Sequence, residues 1–216
     1  MKSAILFDLD GTLIDSTPAI LESFAYAFEK FGLDVPPAQQ ILSLIGHPLD
    51  FMFIHLGVRD DPEPFVQSYK EHYHRIFKEK TTLLPGAREA VIEACGFAKL
   101  GIVTTKTGKY SKELMEHFGL MECFGVLIGR EDVHHPKPHP EPVLKAMHHL
   151  GAQPEQTYMI GDTCLDAIAV KDAGATGVGV LCGYGQRREL ERCFDHLRDD
   201  ALAAVRFIKR INSYHR

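Results

Sequence analysis

Short apolar runs with little polar alternation recur along the chain: AILFD at 4–8, LGIVTT at 100–105, FGVLIG at 124–129, TYMIG at 157–161 and TGVGVL at 176–181. Runs of this length without a period of two predict parallel strands covered on both faces. Between and after them the apolar positions return at helical spacing. They predict helices over 86–95, 108–118, 140–150, 164–173, 186–194 and 199–211, most of them closed by a glycine such as Gly96, Gly119, Gly151 or Gly174. Strand and helix in alternation predict a doubly wound α/β parallel sheet.

The first two strands break this rhythm, because residues 16–82 carry only helical patterns. Thr17 is expected as an N-cap with Pro18 at the first helical position, followed by Ile20, Leu21, Phe24, Phe28 and Phe31 as a buried stripe. Pro36-Pro37 opens a second helix and Pro48 a third. Residues 62–80 form a fourth, with Phe65, Tyr69, Tyr73, Ile76 and Phe77 on one face. The expectation is a core made of 1–15 and 83–216 and a small helical bundle at 16–82, placed to cover the strand ends.

The 216 residues suit one sizeable core with such an insert. A net charge of −5 offers no basic field for nucleic acid. The longest stretch without charge or histidine, Ala173 to Gln186, contains five glycines and falls short of the ~18 apolar residues of a membrane span. The apolar start is interrupted early by Asp8, against a secretory signal, so a cytoplasmic location is expected. Cys95, Cys123, Cys164, Cys182 and Cys193 are odd in number and lack a CxxC pair, which predicts reduced thiols, with Cys164 a small buried helix residue.

Ligands of open α/β sheets bind beyond the carboxyl ends of the strands. The first strand delivers Asp8 and Asp10 there, and the second Thr104, Thr105 and Lys106. Lys137 follows the third, Asp162 and Asp166 the fourth. Asp8, Asp10 and Asp162 at one mouth would raise one another's pKa unless a cation neutralised them, and an all-oxygen set suits Mg²⁺. Gly11 lets backbone N–H groups approach an anion and Thr12 adds a hydroxyl. Thr104 and Lys137 are placed to surround a phosphoryl group, and the prolines of HHPKPHPEP stiffen the Lys137 loop. His134, His135 and His139 in that loop invite a zinc reading. The intervening prolines and the lack of a cysteine pair weigh against it.

DLDGT at 8–12, VTTK at 103–106, KPHPEP at 137–142 and GDTCLDAIAVKDAG at 161–174 together resemble the four motifs of the haloacid dehalogenase-like (HAD) superfamily. The resemblance implies a Rossmann-like core with an inserted α-helical cap. It implies that Asp8 is the nucleophile forming an aspartyl-phosphate and that Asp10 is the general acid and base. Thr104 and Lys137 would hold the phosphoryl group, and Mg²⁺ would be bound by Asp8, the Asp10 carbonyl and Asp162, with Asp166 in support. Asp10 argues against a dehalogenase, Ile20 against a mutase with a cap histidine there, and the lack of lysine in 15–29 against phosphonate hydrolysis. A phosphatase of a small phosphorylated metabolite is the expectation, phosphoglycolate phosphatase-like first, with an inorganic pyrophosphatase or a sugar-phosphate phosphatase of the same superfamily as the alternatives. DSTP resembles phosphoglycolate phosphatases, while GIVTTK with EDVHHPKPHPEPV resembles cytosolic pyrophosphatases. Gly46 and His47 in LIGHPLD are candidate specificity residues, alongside Thr105 and Lys106 for substrate binding. A phosphoaccepting receiver module is the rival from another class, disfavoured because Asp8 lies on the first strand and precedes an insert. The oligomeric state is not legible.

Overall fold

The computed structural model describes residues 3–214. The chain divides into two compact units, 1–14 with 83–216 and 15–82.

In the first unit the strands β1 (Ala4–Phe7), β4 (Lys99–Val103), β5 (Phe124–Ile128), β6 (Thr157–Gly161), β7 (Thr176–Val180) and β8 (Leu197–Arg198) form one sheet in the order β5-β4-β1-β6-β7-β8. Every neighbouring pair is parallel. The side chains of β1 are all buried, as a central strand requires. Ala4 and Leu6 pack with Val143, Met147 and Leu150 of helix α7 (Glu141–Leu150) and with Val170 of α8 (Cys164–Asp172). By alternation Ile5 and Phe7 serve the opposite face. Helices α5 (Ala87–Cys95) and α10 (Ala201–Tyr214) pack on each other, α5 against β4 and α10 against β6, β7 and β8. Helices α6 (Gly108–His117) and α9 (Arg187–Cys193) complete the layer structure. This is the expected doubly wound sheet, and β1 sits where the strand order turns back, so its carboxyl end faces the crevice.

The second unit holds α1 (Thr17–Lys30), α2 (Ala38–Leu42), α3 (Leu49–His55) and α4 (Glu63–Ile76). Its core is aromatic: the Phe24 ring centroid lies 4.7 Å from that of Phe53 and 5.0 Å from that of Tyr69. Pro37, Pro48 and Pro62 each stand at the N-cap of the next helix. Two short strands, β2 (Ile14–Asp15) and β3 (Thr82–Leu83), pair where the chain passes from one unit to the other.

Several sequence expectations need correction. Ser16 rather than Thr17 is the N-cap of α1; Thr17 is already helical, its N–H donating to Asp15 Oδ1 at 2.9 Å. Phe31 lies beyond the last turn of α1 and is 42% exposed, against Phe65, and Leu21 is only half-buried. The cysteines are not all reduced, because Cys164 and Cys193 form a disulfide. Cys164 is accordingly a half-buried first residue of α8, not a buried filler. The pair is far apart in sequence, and only the packing of α9 on α8 brings it together, which spacing alone does not reveal.

Candidate active site

The site grows out of the turn that ends β1. Asp8 is buried, its N–H still paired with the Ile160 carbonyl of β6 at 2.9 Å. The Leu9 carbonyl then accepts N–H groups from Thr12, Leu13 and Ile14 at 3.1, 2.9 and 3.0 Å, folding the chain back. Gly11 takes a left-handed φ of 81°, and a Cβ there would stand 2.3 Å from Asp162 Oδ2. Only glycine meets both demands.

Lys137 reaches the centre of the acids. Its Nζ lies 2.9 Å from Asp8 Oδ1 and 2.6 Å from Asp166 Oδ1, and donates to the Val103 carbonyl at 3.1 Å. Asp166 Oδ2 accepts the N–H and hydroxyl of Thr163 at 3.1 and 2.7 Å, so both of its oxygens are engaged at the head of α8. Asp162 Oδ1 accepts the Thr12 hydroxyl at 3.1 Å and Oδ2 the Tyr184 amide at 2.8 Å. Thr104, buried at the end of β4, accepts the Lys106 N–H at 3.2 Å. The Lys106 ammonium in turn clasps Asp10 through both carboxylate oxygens, at 3.0 and 2.9 Å. Thr105 lies between them in the turn that follows β4.

Burial pushes the Asp8 carboxyl up to about 7, with the Lys137 ammonium pulling it down and the Asp166 charge adding to the rise. Burial, then the charges of Asp8 and Asp166, holds Asp162 well above its ordinary value. Lys137 is raised, because the Asp166 and Asp8 carboxylates outweigh the burial that opposes its charge. Oxygens of Asp8, Asp162 and Asp166 come within 4.8 Å of one another. One ammonium among three buried carboxylates leaves negative charge to be neutralised, and a hard divalent cation fits that donor set.

The loop that carries Lys137 is tied down from below. Glu141 Oε1 and Oε2 accept the His134 and His135 amides, each at 2.9 Å, and His135 Nδ1 lies 3.0 Å from Oε2. These bonds hold the Glu141 carboxyl down at about 2. Ligand atoms of His135, His139 and Glu141 do come within 4.8 Å of one another, despite the prolines between them. The His139 Nδ1, however, accepts the Glu141 N–H at 3.1 Å, so the cluster already serves to fasten the loop.

Of the residues singled out in the sequence, the fold therefore gathers Asp8, Thr12, Lys137, Asp162 and Asp166 into one cluster, in which Lys137 bonds Asp8 and Asp166, Thr12 bonds Asp162, and Gly11 lies against Asp162. Asp10, Thr104 and Lys106 form a second linked group. Gly46, with a φ of 104°, and His47 belong to the 15–82 unit, where His47 stacks on Phe51 at 4.2 Å. Burial and the charge of His55 lower the pKa of His47. Sequence reasoning missed the 181–186 loop. Its Tyr184 amide holds Asp162, and a Cβ at Gly183 would lie 2.2 Å from Asp162 Oδ2. The spaced glycines of LCGYGQ were the available signal.

Residues 5–180 match the haloacid dehalogenase-like hydrolase family. The chain belongs to that family. It is a hydrolase of the phosphatase type, and relatives resemble it over most of their length. "Probable phosphatase IndB" of Dickeya dadantii is 34% identical over 95% of this chain and 92% of its own. Pyrophosphatase PpaX of Halalkalibacterium halodurans is 38% identical over 87% and 86%. Among solved structures, a haloacid dehalogenase-like family hydrolase from Streptococcus pneumoniae superposes with a TM-score of 0.85 at 26% identity, covering 100% of this chain and 99% of that one. The sheet order and inserted helices of the HAD-like hydrolase are thus those of an established architecture, and the motifs at its strand ends lie within the matched span.

Proposed function

We propose that this hydrolase removes phosphate from a small phosphorylated compound by way of a covalent aspartyl-phosphate on Asp8. The observation that carries the reading is the buried contact of Lys137 with Asp8 and Asp166, which fixes one carboxylate at the strand end with an ammonium beside it. In the first half-reaction an Asp8 oxygen attacks phosphorus while Asp10 protonates the leaving oxygen. In the second, Asp10 takes a proton from water, which attacks the same phosphorus and releases Asp8. Lys137 and the Thr104 hydroxyl would pair with the charge on the transferring group, and Lys106 would orient Asp10. A divalent cation such as Mg²⁺, held by Asp8 and Asp162 with Asp166 bracing Lys137, would supply charge neutralisation between phosphate and carboxylates.

The 15–82 unit would act as the cap that selects the substrate, a role supported by its insertion between the Asp8 and Thr104 motifs and by Gly46 and His47 between its second and third helices. Inorganic pyrophosphate ranks first as substrate because of the resemblance to the pyrophosphatases. 2-Phosphoglycolate ranks second on the DSTP segment. The test is a side-by-side determination of kcat/KM for pyrophosphate, 2-phosphoglycolate and several sugar phosphates with Mg²⁺, with EDTA as control. Sustained, EDTA-sensitive release supports the reading. A single stoichiometric phosphorylation without turnover would replace it with a phosphoaccepting module.

A further inference from the structure

The disulfide lies against the acidic site. Cys164 is the first residue of α8, whose third residue is Asp166, and Cys193 is the last of α9. The chain reaches α9 through the 181–186 loop, and that loop supplies the Tyr184 amide to Asp162 Oδ2. At Gly185 the backbone comes so near Asp162 that a Cβ would stand 2.1 Å from its carbonyl oxygen. The loop is thus pressed between Asp162 and a helix that the disulfide pins to the head of α8.

Besides the disulfide, α9 rests on a small apolar cluster: it has seven residues, of which Leu190 alone is buried, beside Ala167 and Phe194, with Leu181, Cys193 and Leu197 packed against them. A helix this short has almost no stability of its own. Both cysteines are half-buried, within reach of a reductant.

We propose that Cys164–Cys193 is a reversible thiol–disulfide site, and that opening it frees α9 and the 181–186 loop and so weakens the hold of the Tyr184 amide on Asp162. The reducing partner is a dithiol. Its thiolate attacks the Cys193 sulfur, the S–S bond breaks, and the Cys164 sulfur leaves with the bonding pair and takes up a proton. The second thiol of the reductant then displaces Cys193. The dithiol becomes a disulfide, giving up two electrons and two protons, and the protein gains both as two cysteine thiols. Oxidised glutathione reverses the exchange. Cys123 is less apt for this chemistry, because burial and then a hydrogen bond with Cys95 push its thiol up to about 11.

The structural part of this inference is independent of the phosphatase reading; its effect on turnover rests on it. The test exposes the full-length protein to oxidised glutathione or to a dithiol, then alkylates and maps the free thiols. It also follows backbone hydrogen exchange over 181–193 in both states. After oxidation, alkylation is expected at Cys95, Cys123 and Cys182 alone, and after reduction at all five cysteines. Exchange over 181–193 should quicken roughly tenfold on reduction. In Cys193→Ser, and in Cys164→Ser as a second variant, it should be fast in both states. Alkylation of Cys164 and Cys193 after oxidation, or exchange that ignores the redox state, would overturn the proposal. Turnover of p-nitrophenyl phosphate should fall on reduction of the wild type and stay constant in Cys193→Ser. Turnover that ignores reduction while exchange responds would overturn the link to catalysis alone.

Discussion

Lys137 is the residue on which the charge balance of the acidic site depends, since it neutralises two carboxylates that are almost wholly removed from water. Breaking a buried ion pair by deleting one partner strands the other, at a cost of about 3–5 kcal/mol. Lys137→Ala is therefore expected to lower the metal-free melting temperature strongly as well as kcat, whereas a purely catalytic lysine would leave stability alone. Thermal melts beside kinetics separate the two. Asp8→Asn removes the proposed nucleophile while keeping shape and hydrogen-bonding capacity. It should fold, show no turnover above background, and yield no phosphoryl adduct in the mass of acid-quenched protein. Normal rates in that variant would exclude the covalent route. Lys106→Ala frees Asp10 from its two-point clasp, and misorientation of the proposed acid–base group should lower kcat by about 100-fold. The Asp10→Asn, Lys106→Ala double variant checks this: if Lys106 acts only through Asp10, the second change should add little to the first.

At the scale of elements, the site depends on how closely two backbone segments approach Asp162: the turn after β1 and the 181–186 loop. Gly183→Ala would place a methyl group 2.2 Å from Asp162 Oδ2, so the loop or the carboxylate must move. Supporting contacts around metal ligands are commonly worth about 10- to 100-fold in affinity. A loss of that order for Mg²⁺, measured by calorimetry, is expected, with strand and helix content unchanged. The parallel strands were legible because burial on both faces leaves an apolar run that ends at a polar residue, as AILFD ends at Asp8. Lys137 was legible because its proline-spaced loop is local in sequence. Strand β8 was not, since two residues carry no period. The order of the strands, the bond from Tyr184 to Asp162 and the Cys164–Cys193 pairing are long-range facts. They follow from which helix packs on which strand, and no local spacing records them. Phe31 shows a further limit: helical spacing placed it on the buried stripe, but α1 ends one residue earlier and the ring turns outward onto Phe65.

For the molecule as a whole, the acidic site makes stability depend on pH in a direction opposite to that of most carboxylates. The folded value of Asp8 is about 7, against an ordinary 3.8, and Asp162 is raised as well. Between those values the folded protein keeps a proton that the unfolded chain has released. Raising the pH through this window therefore favours unfolding, by at most about 1.4 kcal/mol per pH unit for each such group. Glu141 works the other way and lower down: its folded value of about 2 lies below the ordinary 4.5, so its contribution is present above 4.5 and fades only as the pH falls toward 2. Between pH 5 and 7 the acidic site should dominate, and each kcal/mol corresponds to about 2–4 °C in melting temperature for a chain of this size. Metal-free wild type is thus expected to melt several degrees lower at pH 7 than at pH 5. Added Mg²⁺ should raise the melting temperature more at pH 7, where the carboxylates it would neutralise are ionised. In Asp8→Asn the pH dependence should flatten. If the metal-free wild type instead grew more stable from pH 5 to 7, in parallel with Asp8→Asn, the negative charge of this site would not be what burial withholds, and the case for a cation there would fail with it.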